Sequence, residues 1–177
     1  EETMVVAAFR KRRKYPCALG VLLLAASWMY FFFPGPPTLT VVHLNGETQE
    51  TVAAIPVTAG SRFTIQYIHS VDRLPVHETF LVDDEYSLLL AEFRFISLGA
   101  GMGDSGGDIV YDGRWTVVEN IRKELTSFHL RVSSITEQTL HIGDREIKLA
   151  EIAPESGLLK FEVRRSPRAY LMLRGGC

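Results

Sequence analysis

With 177 residues, 46% apolar and 23% charged, the chain has the composition of one domain that buries a core, with a segment attached, and not that of a disordered polypeptide. A formal net charge of -2, with the only dense basic run set beside an apolar stretch, excludes a nucleic-acid-binding protein. The two cysteines, Cys17 inside the apolar stretch and Cys177 as the last residue, fit neither a disulfide framework nor a metal knuckle.

Residues Arg10-Lys11-Arg12-Arg13-Lys14 form a run of cations, after which no formal charge appears until Glu47. The basic tail 1–14 is expected in the cytoplasm, followed by a transmembrane anchor over 15–33. As a helix, Tyr15 to Phe33 would measure about 28 Å, close to the hydrocarbon thickness of a bilayer. Pro16 suits a first helical turn, and Trp28 and Tyr30 suit an interfacial aromatic belt. The stretch Pro34-Gly35-Pro36-Pro37 (34–37) reads as a helix stop and a short stiff spacer. Positive charge before the helix and none just after it places the domain 38–177 outside the cytoplasmic membrane, in the periplasm of a double-membraned cell. The competing reading is a cleaved signal peptide with Ala25-Ala26-Ser27 as the cleavage site, which leaves Trp28 to Phe33 as a bare apolar terminus.

From Thr38 the pattern becomes alternating. Asn45-Gly46, Asp112-Gly113 and Gly143-Asp144 each separate two short β-prone runs and predict hairpin turns. Further strands are expected over Thr51–Val57, Tyr86–Ser97, Phe128–Ser133 and Leu158–Arg164. Helical signal beyond the anchor is limited to one or two turns at Asn120–Leu125. The expected fold is all-β, an antiparallel β-sandwich or barrel preceded by one transmembrane helix.

The most specific chemical reading comes from Phe63–Val71 and Pro75–Val82, which form one hairpin. Two-residue periodicity puts Phe63, Ile65, Tyr67 and His69 on one face and Val76, Glu78, Phe80 and Val82 on the matching face of the returning strand. The register that aligns both faces sets Ile65 opposite Val82, Tyr67 opposite Phe80 and His69 opposite Glu78. A histidine and a carboxylate then meet at the end of an apolar face, either as a satisfied structural pair or as a site. The glycine-rich stretch Ser97–Gly103 is expected to pack over that end, with Gly99 and Gly101 allowing close backbone approach.

Two other constellations are weaker. Gly103-Asp104-Ser105-Gly106-Gly107 looks like the nucleophile segment of chymotrypsin-like proteases, with His69 and Asp83 or Asp84 in the right order. Only 36 positions separate His69 from Ser105, too few for the barrel that fold inserts between them. No metal is expected from His69, His77, Glu78 and Asp83-Asp84-Glu85, because His77 points to the opposite face from Glu78 and the acidic run reads as a solvated turn. No cofactor is expected.

The ordered set Tyr67-x-His69-Ser70-Val71, Pro75-Val76-x-Glu78 and Gly99-Ala100-Gly101-Met102 resembles the bacterial family known as domain of unknown function 1850, over roughly Thr38 to Leu149. The resemblance implies a small protein with an amino-terminal hydrophobic segment, accessory to tripartite ATP-independent periplasmic (TRAP) transporters of the TAXI type. It implies Tyr67, His69, Ser70, Pro75, Glu78, Gly99 and Gly101 as motif residues and assigns them no mechanism. The expected partners are the transporter's membrane subunit or its solute-binding protein. The alternatives are an extracytoplasmic serine hydrolase with His69 as base and Ser70 or Ser105 as nucleophile, or a small-ligand or calcium-binding module.

Overall fold

The computed structural model describes residues 16–32, 34–96 and 106–167. Helix α1 spans Pro16–Phe32, about 25 Å at 1.5 Å per residue. Among the described residues no helix is long and apolar enough to cross a membrane, so the transmembrane helix expected over 15–33 is not supported at that length. Pro16 opens the helix, and the chain is already extended from Pro34. Strand β1 runs Pro34–Asn45, so the expected spacer 34–37 is the first part of a strand. Pro34 pairs with Pro167 and Pro37 with Arg165, with a bulge between them.

The remaining strands are β2 (Thr48–Pro56), β3 (Arg62–Ile68), β4 (Pro75–Val82), β5 (Leu88–Phe95), β6 (Asp108–Asp112), β7 (Trp115–Glu119), β8 (Lys123–Leu125), β9 (Ser127–Arg131), β10 (Thr139–Ile142), β11 (Arg145–Lys148) and β12 (Leu158–Pro167). They form two antiparallel sheets. The smaller has the order β2-β1-β12-β9, and the larger the order β11-β10-β3-β4-β5-β7-β6 with β8 paired to β5. The protein is a β-sandwich, and the helical turns expected at Asn120–Leu125 are replaced by β8. Asn120 and Arg122 both take left-handed backbone (φ 57° and 45°), which breaks any helical run and turns the chain from β7 into β8. A short helix, α2 (Leu149–Ile152), was not anticipated and buries Leu149.

The three hairpin turns are present with one regularity. In each, a glycine with φ between 55° and 59° is the first of the two turn residues: Gly46, Gly113 and Gly143. The closing pairs are Asn45 with Thr48, Asp112 with Trp115, and Ile142 with Arg145. Only at Gly143-Asp144 does this match the expected pair of turn residues. At the other two the reversal lies one residue later, because the left-handed conformation falls on the glycine and the preceding Asn or Asp stays in the ladder.

The sheets are held face to face by a stack of phenylalanines. Phe63 and Phe80 of the larger sheet lie 5.1 Å apart between ring centres, Phe80 lies 4.4 Å from Phe128, and Phe128 lies 4.7 Å from Phe161 of the smaller sheet. Leu39, Val41, Ile65, Val82, Leu88, Leu140, Leu149 and Leu159 close around them, all essentially without solvent contact. A second, smaller cluster of Val76, Phe93, Phe95, Val118 and Ile121 belongs wholly to the β4-β5-β7 side of the larger sheet and the turn after it. Tyr67 packs against both clusters and so stands at their junction.

Gly107 is pressed onto the second cluster. A Cβ added there would lie 2.2 Å from the Glu119 carbonyl oxygen, 3.0 Å from Val118 Cγ1 and 3.1 Å from Ile121 Cγ1. The nearest clash is with backbone of the paired strand, which cannot yield without breaking the β6–β7 ladder. Gly107→Ala is expected to destabilise the fold by about 1–3 kcal/mol, measured as a lower urea midpoint at unchanged slope. A wild-type midpoint would show that the β6–β7 hairpin relaxes freely at this point.

Candidate functional site

The β3–β4 hairpin forms with its apolar faces aligned as expected, but in a different register. Phe63 faces Phe80, Ile65 faces Glu78, Tyr67 faces Val76 and Ile68 faces Pro75. Relative to the expected pairing the returning strand is displaced by four residues, an even number, so every side chain stays on its anticipated face while every partner changes. The observed register confines the reversal to residues 69–74. The His69 amide donates to the Leu74 carbonyl at 2.8 Å, and the Arg73 amide to the His69 carbonyl at 3.0 Å. The expected register would have set Val76 opposite Val71 and drawn Asp84 opposite Phe63. The observed register buries Val76 and puts Pro75 at the first strand position, where its missing N–H is tolerated.

The opposition of His69 and Glu78 is therefore corrected. His69 has left the strand and turns back on its own loop. Its Nδ1 accepts a hydrogen bond from the Asp72 amide at 3.3 Å and lies 3.6 Å from Asp72 Oδ2. Ser70, next in sequence, is exposed. Glu78 is engaged by Tyr67 instead: the phenol Oη donates to Glu78 Oε1 at 2.9 Å, on the diagonal of the β3–β4 ladder. Ile65 on β3 and Phe93 on β5 flank the glutamate directly, so the carboxyl stands in the inner face of the larger sheet between apolar neighbours. Gly99, Gly101 and Ser105 lie outside the described residues.

Burial raises the Glu78 carboxyl above the ordinary carboxylate range, and the Tyr67 hydrogen bond, which favours the ionised form, offsets only part of that. The Tyr67 phenol is pushed well above the ordinary tyrosine range, first by burial, then by the Glu78 charge and the bond to it. Tyr67 thus remains a donor throughout the working pH range, while Glu78 is a part-buried acid between apolar neighbours.

The opposite face carries a separate polar arrangement. His77 points outward, as its strand position predicted, between Gln66 of β3 and Arg94 of β5, with its ring 4.9 Å from that of Trp115. Burial first, then the charges of Arg94 and His141, hold His77 below the ordinary histidine range, so it is neutral at pH 7. Its Nε2 is buried with no hydrogen-bond partner. Asp83 acts as a turn former: its Oδ1 accepts from the amides of Glu85 at 2.9 Å and Ser87 at 2.7 Å. Among the described residues no group of three or more His, Cys, Asp or Glu is placed to hold a metal ion.

Two clefts open on this side of the molecule, only one of them beside Tyr67. One, of about 380 Å³, opens beside Tyr67 and is lined also by Gln66, Ser134, Glu137, Gln138 and Lys148. The other, of about 670 Å³, lies where β5 exchanges β8 for β7 as its neighbour, with Leu81, Leu89 and Ala91 flanked by Arg62, Glu92 and Arg122. Sequence reasoning missed Asp72, Arg94 and Trp115. Asp72 was legible as a loop acid three residues after His69, whereas Arg94 and Trp115 meet His77 only through strand order.

Residues 63–149 match the family model described as Domain of unknown function (DUF1850). The DUF1850 match supports the resemblance carried by Tyr67, His69, Ser70, Pro75 and Glu78, and runs from β3 through β11 to the first residue of α2. It takes in the whole larger sheet apart from Arg62, and it leaves out β1, β2 and β12 of the smaller one. The Tyr67–Glu78 pair lies inside the DUF1850 segment. No curated protein and no solved structure matches the chain.

The raised pKa of Glu78 has a defined consequence for stability. The proton-bound carboxyl is favoured by the fold, so its contribution is complete below the unfolded-state value of roughly 4.3 and is lost as pH rises through the higher folded-state value. Glu78→Gln keeps an acceptor for Tyr67 and removes the ionisation. It is expected to be more stable than wild type at pH 7.5 and to converge on it near pH 4. Tyr67→Phe, which strands the carboxyl, is expected to lose about 1–3 kcal/mol at pH 7.5. Urea unfolding of the three chains between pH 4 and 8 checks both; parallel curves for wild type and Glu78→Gln would show that Glu78 titrates as if in water.

Proposed function

We propose that this chain is a membrane-anchored, extracytoplasmic binding module, an accessory subunit of a TAXI-type tripartite solute transporter, with its amino terminus in the cytoplasm and its β-sandwich outside. The observation that carries the reading is the surface of α1. Val21, Leu22, Leu23 and Leu24 are 64–73% exposed at four consecutive positions, which span about 300° of the helix circumference. A helix apolar all the way round has no face for water and calls for a hydrocarbon or protein surround on every side. The cations of Arg10–Lys14 precede it, on the side where positive charge retains a segment in the cytoplasm. The short distance from Phe32 to β1 keeps the sandwich close to the bilayer, which raises its effective concentration toward an integral membrane partner. The DUF1850 resemblance supports the transporter as that partner.

The anchor and the partner are tested separately. The full chain is expected in the pellet after alkaline carbonate extraction of membranes, and Leu22→Arg/Leu24→Arg, at about 2.5–3.5 kcal/mol per charge near a helix centre, in the supernatant. Wild-type protein in the carbonate supernatant would remove the anchor. From native membranes in mild detergent, the tagged chain is expected to bring down the membrane subunit of a TAXI-type transporter above the level given by an unrelated single-pass protein. Equal recovery by both baits would remove the transporter.

A further inference from the structure

Strand β6 ends the larger sheet beyond β7, and every one of its five residues is exposed. Ile109, Val110 and Tyr111 are 48%, 44% and 71% exposed, three consecutive large apolar groups on a strand whose far edge has no neighbour among the described residues. Asp108 and Asp112 bracket them. Asp108 Oδ2 accepts from Asn120 Nδ2 at 2.9 Å, an uncharged partner, and Asp112, 70% exposed, lies 3.8 Å from an Arg94 nitrogen. Both carboxylates face solvent. Sheet edges of this kind are a template for strand addition, and proteins ordinarily blunt them with central charge, proline or a covering loop. Here the charges sit only at the two ends.

We infer that the outer edge of β6 is a strand-addition site for an extended segment of another protein, with Lys or Arg on both sides of a three-residue core centred on an apolar side chain. The charge pattern selects that occupant. Antiparallel pairing of β6 with a second copy over all five positions sets Asp108 against Asp112 twice, and parallel in-register pairing sets each aspartate against itself. Like charges directly opposed destabilise a ladder, so the edge is biased against its own copy. A segment of the form basic-x-apolar-x-basic places a cation opposite each aspartate, while its backbone satisfies the open amides and carbonyls. Ile109 and Tyr111 point to the face of Val118 and Thr116, their partners on β7, and continue the second apolar cluster to the rim of the sheet. This deepens the binding-module reading by naming the surface and the partner's chemistry.

The test uses the purified full chain in detergent and synthetic peptides, without transporter or membrane, so its failure leaves the anchor and co-purification experiments untouched. A labelled peptide SSKTVYKSS is expected to bind saturably, and SSETVYESS at least tenfold more weakly at low salt. The preference is expected to shrink in 0.5 M salt and to fall within twofold for Asp108→Asn/Asp112→Asn, which preserves the Asn120 contact. N-methylation of alternate backbone amides in the basic peptide is expected to abolish binding. No saturable binding up to 2 mM, equal binding of both peptides, an undiminished preference in the double variant, or indifference to N-methylation would each overturn the inference. So would a wild-type dimer, seen by sedimentation, that the basic peptide dissociates.

Discussion

A carboxyl group in the inner face of a sheet is tolerable only if something answers it, and in this protein the answer is a single phenol. The hydrogen bond from Tyr67 to Glu78 spans the β3–β4 diagonal at the place where the two apolar clusters meet. The sandwich core on one side depends on β3 and β4 being paired in the register that aligns Phe63 with Phe80. The smaller cluster on the other side is assembled by the β4–β5 register, which brings Val76 against Phe95. The β3–β4 register and the polar pair are one constraint seen at two scales.

That constraint also orders the two faces of the larger sheet. Inward lies the apolar surface that holds Glu78; outward lies His77, with Gln66 and Arg94 on either side, the charge of His141 acting on it and the ring of Trp115 against its own. Because strand periodicity is two, the residue beside each inward group faces outward, so the imidazole of His77 and the part-buried carboxyl of Glu78 are consecutive in sequence yet belong to separate environments. The catalytic reading that joined His69 to Ser70 gains no geometric support, since His69 is occupied by Asp72 and Ser70 faces solvent.

The larger sheet extends past the smaller one. Its β7–β6 end is bordered by a glycine that admits no side chain and by a strand with every residue exposed. The family match covers nearly all of this larger sheet and omits three of the four strands of the smaller one, so the matched segment includes both the Tyr67–Glu78 pair and the exposed edge.

Much of this was readable from local chemistry. Alternation gave the strands and their faces, Gly46, Gly113 and Gly143 marked the reversals, and the placing of Glu78 inward and His77 outward followed from counting by twos. The partner of Glu78 was not readable, because a hairpin's two apolar faces align equally well in registers four residues apart, and sequence periodicity is blind to the difference. The observed register is the one that sets Phe63 on Phe80, in the stack that continues through Phe128 to Phe161 of the other sheet. Strand order, which joins residues distant in sequence, likewise decided that Trp115 and Arg94 would meet His77 and that β6 would end the sheet. The sequence by itself determined which way each side chain points; the tertiary structure decided what it meets, because orientation is a property of one strand and contact is a property of two.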